Sequence, residues 1–438
     1  MKVVVPNSNL PRVLIIGGGF GGLAVANALR NKPFQVVLID RHNYHTFQPL
    51  LYQVATGGLE ADSIAFPIRK IFNTHDNIVF RVANVTGIDP EGKRVETDLG
   101  ALTYDYLVLA TGSTTNFFGM KDVEEYACGM KTVVESLDLR HLILQNFEDA
   151  HQDLDPLERD QLTNFVVVGG GPTGVETAGA LAELKRNVLP HDYPELDLRQ
   201  MEIHLIEAGD RLLAGMSDKS SEEAKDTLER LGVNLMLNTQ VTGYDGKTVT
   251  TNKSAKGIVA ATVIWAAGIK GVVPDGIEDT SIGRGNRLQV DEFNRVKGYE
   301  DVFAIGDVAS MSTEAYPNGH PQVAPAAMQM GERVGRNIIR LVKGAPLKPF
   351  EYFDKGSMAT IGRNRAVVDF RKIHMKGWIA WVTWMFVHLL FLIGFRNRAV
   401  VFVNWVWSYF TYDKGVRLII RPYKRKVELD HLDPVATP

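Results

Sequence analysis

Cysteine is almost missing from this chain of 438 residues; Cys128 stands alone. One thiol excludes an intramolecular disulfide, a CxxC redox pair and a cysteine-rich zinc or iron–sulfur site. It fits a reduced, cytoplasmic setting. Excess charge is missing too: 48 Lys and Arg face 51 Asp and Glu, a net charge of −3. No strong field is there to attract nucleic acid. The 11 histidines are scattered apart from His42 and His45, and neither a metal-ligand cluster nor an acyl-transfer triad stands out. The opening "MKVVVPNSN" runs into "RVLIIGGGFGG" without the long apolar stretch and small-residue cleavage site of a signal peptide, so the body of the protein is expected in the cytoplasm. Otherwise the composition, 45% hydrophobic and 23% charged, is that of a globular protein with room for two or three domains.

What is present is one pattern used twice. "VLIIGGGFGGLAVANAL" (Val13–Leu29) and "FVVVGGGPTGVETAGAL" (Phe165–Leu181) match position for position, 152 residues apart. Each reads as a β-branched strand, a GxGxxG loop and an alanine-rich helix. The glycines are Gly17, Gly19 and Gly22, then Gly169, Gly171 and Gly174. In such loops the first glycine makes the tight turn, the second admits a pyrophosphate, and the third lets helix and strand pack closely. The helix start then offers free N–H groups to phosphate. One GxGxxG can serve packing alone, but here each is followed by a strand ending in an acid. Asp40, in "FQVVLIDR", lies 18 residues after Gly22. Glu207, in "EIHLIEAG", comes later because "KRNVLPHDYPELDLRQ" intervenes. Both acids are placed to bind ribose hydroxyls; a strand-end turn residue would look the same. A carboxylate at 207 repels a 2′-phosphate and favours NADH over NADPH, although Arg211 is close by.

Three more strand ends carry small residues: Ala110-Thr111-Gly112 in "YLVLATGS", Ala266-Ala267-Gly268 in "TVIWAAGI", and Gly306-Asp307 in "DVFAIGDVA". The order GxGxxG, acid, ATG, GxGxxG, acid, AAG, GD over roughly residues 10 to 345 resembles the two-dinucleotide flavoprotein reductases. The resemblance implies an α/β fold with two Rossmann-like domains and noncovalent FAD on the first loop, at Gly17, Gly19, Phe20, Gly21 and Gly22. Asp40, Arg41, Ala110, Thr111, Gly112 and Gly306 would adjoin the FAD, with Val85 of "VTGID" against adenine through its backbone and Asp307 at the ribityl chain. It implies NADH on the second loop, at Gly169, Gly171, Pro172, Thr173, Gly174, Glu207, Ala267 and Gly268. The FAD domain is then discontinuous, 8–113 and 288–345, with an NADH domain at 114–287 and a C-terminal region at 346–438. The polar segment "QNFEDAHQDLDPLERD" (Gln145–Asp160) reads as a solvated helix and turn.

That C-terminal region holds the one long apolar run. Eighteen residues, Trp378–Phe395, carry no formal charge, and after "RNR" another fourteen, Ala399–Tyr412, carry none. Five tryptophans (Trp378, Trp381, Trp384, Trp405, Trp407) accompany them, and "DKGVRLIIRPYKRK" follows with six Lys or Arg. Aromatic residues favour the membrane–water boundary, and Lys and Arg favour anionic headgroups. The lengths suit a helical hairpin lying in one leaflet, touching the bilayer over 376–426, with Arg396 and Arg398 at its turn and free to snorkel. A single span by 378–395 and a pair of buried core helices are the alternatives. With "NYHTFQPLLYQVATGGL" (Asn43–Leu59) and "VAPAAMQMGE" (Val323–Glu332), the chain resembles the type II NADH:quinone dehydrogenases. These pass electrons from NADH through FAD to ubiquinone or menaquinone without pumping protons, from a peripheral, monotopic position on the cytoplasmic face of the membrane. The family's AQxAxQ quinone motif here reads Ala324-Pro325-Ala326-Ala327-Met328-Gln329, so Pro325 replaces a hydrogen-bonding Gln. Gln329 is the stronger quinone candidate, beside Ala324, Pro325 and Gln48. A homodimer, a reductase of a soluble acceptor and a flavin-bearing NADH sensor are the competing pictures.

Among the differences between the two copies, one changes charge. Ala24 of the first corresponds to Glu176 of the second. A carboxylate in a helix's first turn is favoured by the dipole, yet one aimed at a pyrophosphate would repel it. Glu176 is therefore expected to point aside and to hold or relay a proton for quinone reduction.

Overall fold

The runs "VLII" and "FVVV" become the central strands of two parallel sheets. In this computed structural model residues 4–152, 154–254, 256–411 and 415–424 are described; of the stretch expected at the membrane, 376–426, residues 412–414 and 425–426 lie outside them. The first sheet places strands in the order Val302–Ala304, Tyr106–Leu109, Arg12–Ile16, Gln35–Asp40, Ile78–Val82, all parallel. The second runs Asn234–Met236, Ile203–Ile206, Phe165–Val168, Thr262–Trp265, also parallel. Their uninterrupted apolar sequences follow from burial on both faces; Phe165, Val166 and Val167 are wholly inaccessible.

The chain divides into two compact units. One comprises Met1–Thr46, Ala65–Thr114 and Ile269–Lys355; the other comprises Phe47–Ile64, Thr115–Gly268 and Gly356–Pro438. In the first unit the loop helix Phe20–Ala28 packs on the helix Ala324–Val342. Gly331 and Gly335, one turn apart, make that approach possible: a Cβ at either would collide with Gly21 and Ala24 or with Ala28.

In the second unit the helix Val133–Asp149 begins with a capping box, Thr132 with Glu135. Asn146 and Phe147 are fully buried, so the expectation of a solvated segment from Gln145 fails for its first turn. The next helix, Pro156–Thr163, starts on a second capping box, Asp155 with Glu158.

The C-terminal region is not helical throughout. It opens with a three-stranded antiparallel sheet, Ser357–Thr360, Ala366–Phe370 and Ile373–Lys376. Two helices follow, Gly377–Phe391 of 15 residues and Phe395–Thr411 of 17. The apolar run expected over 378–395 is therefore broken, at Gly394, whose φ of +89° suits glycine. The first helix is about 22 Å long, short of the ~30 Å hydrocarbon core, and no helix among the described residues is long and apolar enough to cross a membrane. The turn also lies before the arginines, not at them. Arg398 folds back and donates from Nε to the Leu392 carbonyl (2.7 Å) and from Nη2 to the Leu390 carbonyl (2.9 Å). It caps acceptors that a helix end leaves unpaired rather than snorkelling.

Candidate active site

Parallel strands deliver their carboxyl ends to one edge of a sheet, and there the first unit gathers its candidates. Gly17 follows Arg12–Ile16, Asp40 ends the next strand, Ala110-Thr111-Gly112 follow Tyr106–Leu109, and Gly306-Asp307 follow Val302–Ala304. Gly17 needs to be glycine, with φ +108° and the Ala110 carbonyl where a Cβ would stand. Gly22 abuts the Gly17 carbonyl. At Gly19 an added Cβ would meet nothing within 4 Å. That glycine caps the helix with no side-chain hydrogen bond, so the loop encloses open space at a helix N-terminus, the environment an anionic pyrophosphate takes. Phe20 and Gly21 form its first turn. Val85 opens a strand just beyond Ala83, whose N–H donates to the Asp40 carbonyl. Ser113 donates to Asp307 Oδ2 at 2.6 Å, and Gln322 donates to the Asp307 carbonyl at 2.9 Å. Arg41 is exposed.

The second unit repeats the arrangement. Gly169 has φ +112° and lies against Ala266, Gly174 abuts the Gly169 carbonyl, and Gly171 again has nothing within 4 Å of an added Cβ. Pro172 and Thr173 begin the helix. Ala267-Gly268 follow Thr262–Trp265, with Phe118 against Gly268.

The two acids have the same local partner. Asp40 accepts from Gly18 N–H (2.6 Å) and His42 N–H (2.7 Å). Glu207 accepts from Gly170 N–H (2.5 Å) and Gly209 N–H (2.6 Å). Each carboxylate thus ties the strand end to the glycine loop, and each keeps lone pairs to spare. Arg211 is committed elsewhere, to Asp218 and to the carbonyls of Ala214 (2.9 Å) and Met216. Sequence context does not mark His45 as a site residue. It is buried, its Nδ1 is 3.0 Å from the Gly18 carbonyl, and its ring meets Phe20 edge-on. Burial lowers its pKa, so it braces the first loop as a neutral ring.

The quinone candidates are unequal. Pro325 sits in the first turn of Ala324–Val342, where a missing N–H costs nothing. Gln329 clamps the backbone of Phe353, donating to its carbonyl and accepting from its N–H, both at 3.0 Å. Gln48 is exposed, in a short turn before the helix Leu51–Ala55.

Glu176 is buried and turns to Thr360, accepting from its backbone N–H at 3.1 Å and its hydroxyl at 3.5 Å. Burial pushes its carboxyl up to about 8, against the pull of those bonds. It lines a cavity of about 130 Å3 with Tyr52, Glu183, Trp381, Trp384 and Trp405. Thr360 is a partner the sequence does not advertise, 184 residues further on. Beside it, His388 accepts a stacked Trp384 ring, its Nδ1 2.7 Å from the Trp384 carbonyl; burial lowers its pKa to about 4, leaving it neutral.

The hairpin turns large apolar side chains outward as well as inward, where Ala380, Trp384 and Val401 are buried. On its second helix Asn397, Val401 and Asn404 face inward, Asn404 donating to Glu60 at 2.7 Å. Phe402, Val406, Trp407 and Phe410 face outward, 40–75% exposed. On the first helix Trp378, Ile379, Phe386 and Leu390 are more than half exposed. A water-facing helix shows the opposite pattern.

Comparison with known proteins agrees with this geometry. Residues 11–331 match the pyridine nucleotide-disulphide oxidoreductase family, and residues 355–411 match the NDH2 C-terminal domain. The chain is 37% identical over 421 residues to the type II NADH:quinone oxidoreductase NdhA of Mycobacterium tuberculosis, covering 92% of this chain and 88% of that protein. It is 30% identical to the type II NADH:quinone oxidoreductase of Haemophilus influenzae, covering 82% and 86%. Among solved structures, that of NDH2 from Plasmodium falciparum in complex with NADH superimposes with a TM-score of 0.86 at 22% identity, over 94% of this chain and 100% of that one.

Proposed function

The chain belongs to the type II NADH:quinone oxidoreductases, and on that premise we propose how its residues divide the work. The reaction is two-electron transfer from NADH through FAD to a quinone, without proton pumping. Bound FAD supplies the relay between a hydride donor and the quinone. The first unit holds it: the space at Gly19 takes the pyrophosphate, Asp40 the ribose, and Asp307, oriented by Ser113, the ribityl chain. The second unit holds NADH in the same way at Gly171 and Glu207. With Arg211 bound to its own loop, Glu207 makes NADH the preferred donor. The observation that carries this assignment is the pair of matching loops, each open at its middle glycine and closed around the other two.

Hydride contributes one proton and two electrons, and a quinol needs two protons. One proton per turnover must therefore come from water, and Glu176, buried and with a raised pKa, is the group we assign to hold it. Gln329 is proposed for the quinone, using the amide hydrogen its Phe353 clamp leaves over, with Ala324, Pro325 and Gln48 secondary. The outward apolar face of the hairpin lies in one leaflet, which suits an acceptor dissolved in the bilayer and disfavours a soluble one.

Anaerobic stopped flow tests the whole reading. NADH should bleach the bound flavin rapidly, and ubiquinone or menaquinone analogues should restore its colour. Failure of both quinones to reoxidise it, with a soluble carrier succeeding, would overturn the assignment.

A further inference from the structure

The direction of hydrogen bonds around Glu176 is fixed by one residue of the hairpin. Trp405 Nε1–H can only donate, and it lies 2.8 Å from Gln53 Oε1. That oxygen must accept, so the amide nitrogen of Gln53 faces Tyr52 and donates to its Oη at 2.9 Å. Tyr52, receiving a donor, is left to direct its own hydrogen to Thr360 Oγ1, 2.9 Å away. Thr360 then donates to Glu176 Oε1, at 3.5 Å from the hydroxyl and 3.1 Å from the backbone N–H. Five side chains from four separate stretches of chain thus form one line, every donor pointing toward the carboxyl.

We propose that Trp405 is a positioning residue for the reaction: by setting the direction of this line it sets how tightly Glu176 holds its proton. The proposal rests on the reading of Glu176 as the proton holder. Donors that all point one way polarise one another and favour a carboxylate at the end. Without the indole N–H, Gln53 can turn its amide over and Tyr52 can donate back to it. Thr360 then loses the donor that held its hydroxyl, and the carboxyl keeps its proton to higher pH. The other titratable groups about the cavity are Glu183 on the same helix, Arg363 from the turn between Ser357–Thr360 and Ala366–Phe370, Tyr409 under Arg363, and His388 stacked on Trp384. All of these residues are retained in the variants below; Trp405 also packs against Trp384, ring centroids 5.4 Å apart, so Tyr52→Phe, which leaves that contact alone, is the variant that isolates the line.

Infrared difference spectra of the FAD-loaded, detergent-solubilised enzyme test it. The protonated carboxyl band absent from Glu176→Gln identifies the group, and its titration midpoint is followed. In Trp405→Phe the midpoint should move up by about one pH unit, the scale of one hydrogen bond to a charged group. Tyr52→Phe, which cuts the same line nearer the carboxyl, should move it the same way. The double variant should add little, as members of one line are not independent. Trp381→Phe, which lines the cavity outside the line, should leave it unmoved. An unmoved midpoint in Tyr52→Phe overturns the proposal, as does one in a Trp405→Phe that retains FAD. Quinone-dependent flavin reoxidation answers the separate question. Wild-type rates in Glu176→Gln from pH 5 to 8 would overturn the role of Glu176, while the infrared shift still decides what Trp405 does.

Discussion

At Gly19 the protein itself leaves room for a side chain, and a nucleotide bound as proposed would not. No protein atom lies within 4 Å of a Cβ placed there, so Gly19→Val should fold with little change in melting temperature. It should nevertheless lose FAD by at least about a hundredfold in affinity, because the added methyls occupy the pyrophosphate's approach. Flavin absorbance after gel filtration reads this directly, and a full complement of flavin would remove FAD from the first loop. Glu207 allows a parallel test. Glutamine keeps an acceptor for only one of its two backbone partners, Gly170 and Gly209, and removes the charge that opposes a 2′-phosphate. Glu207→Gln should raise the ratio of NADPH to NADH in kcat/KM by about tenfold, or ~1.4 kcal/mol, while weakening NADH itself. Glu176 has a consequence for stability as well as for turnover. Its carboxyl keeps a proton to about pH 8 when folded but would release it near 4.5 when unfolded. The unfolded chain therefore binds fewer protons across that window, and stability falls as pH rises through it. Glu176→Gln should flatten this fall and melt about 2 °C or more above wild type at pH 8; parallel melting curves from pH 5 to 8 would contradict the raised value.

Elements differ in how openly their sequences declare them. The glycine loops are legible because their demands are local: a positive φ at Gly17 and Gly169, and a helix pressed on a carbonyl at Gly22 and Gly174. The hairpin is half legible. Its apolar composition is plain, but hydropathy does not show where the chain turns, and the turn falls at Gly394, not at the more conspicuous arginines. The role of Arg398 is equally hidden, since it depends on the carbonyls of Leu390 and Leu392. The sheet at 357–376 is the least legible, with short strands and no strict alternation. Its Thr360 reaches Glu176 only through tertiary packing, which no spacing rule reveals. For the hairpin itself, Val406→Asp with Phe410→Asp places two charges on the outward face without touching the inward one. Flotation with anionic vesicles should fall by about tenfold or more, while reduction of FAD by NADH continues at the wild-type rate. Undiminished flotation would place the membrane contact elsewhere.

For the molecule as a whole, the repeated loop makes the two nucleotide sites separable. Gly171→Val should bind flavin normally yet fail to bleach on adding NADH, and dithionite should still reduce its flavin. Loss of flavin in that variant would mean that the second loop also carries FAD. The first and second copies share their GxGxxG glycines and a strand-end acid, and they differ at Ala24 and Glu176, where the second copy buries a carboxyl.

The outward apolar face of the hairpin has a mechanical consequence. Its helices are about 22 and 25 Å long and each about 10 Å across. Laid in a single leaflet, they claim area from that leaflet and none from the opposite one. A flat bilayer must compress lipid to admit them, whereas a convex one already offers gaps between its headgroups. The amount of enzyme bound per lipid should therefore rise as vesicle radius falls, and crowding of the enzyme should itself bend the surface it occupies.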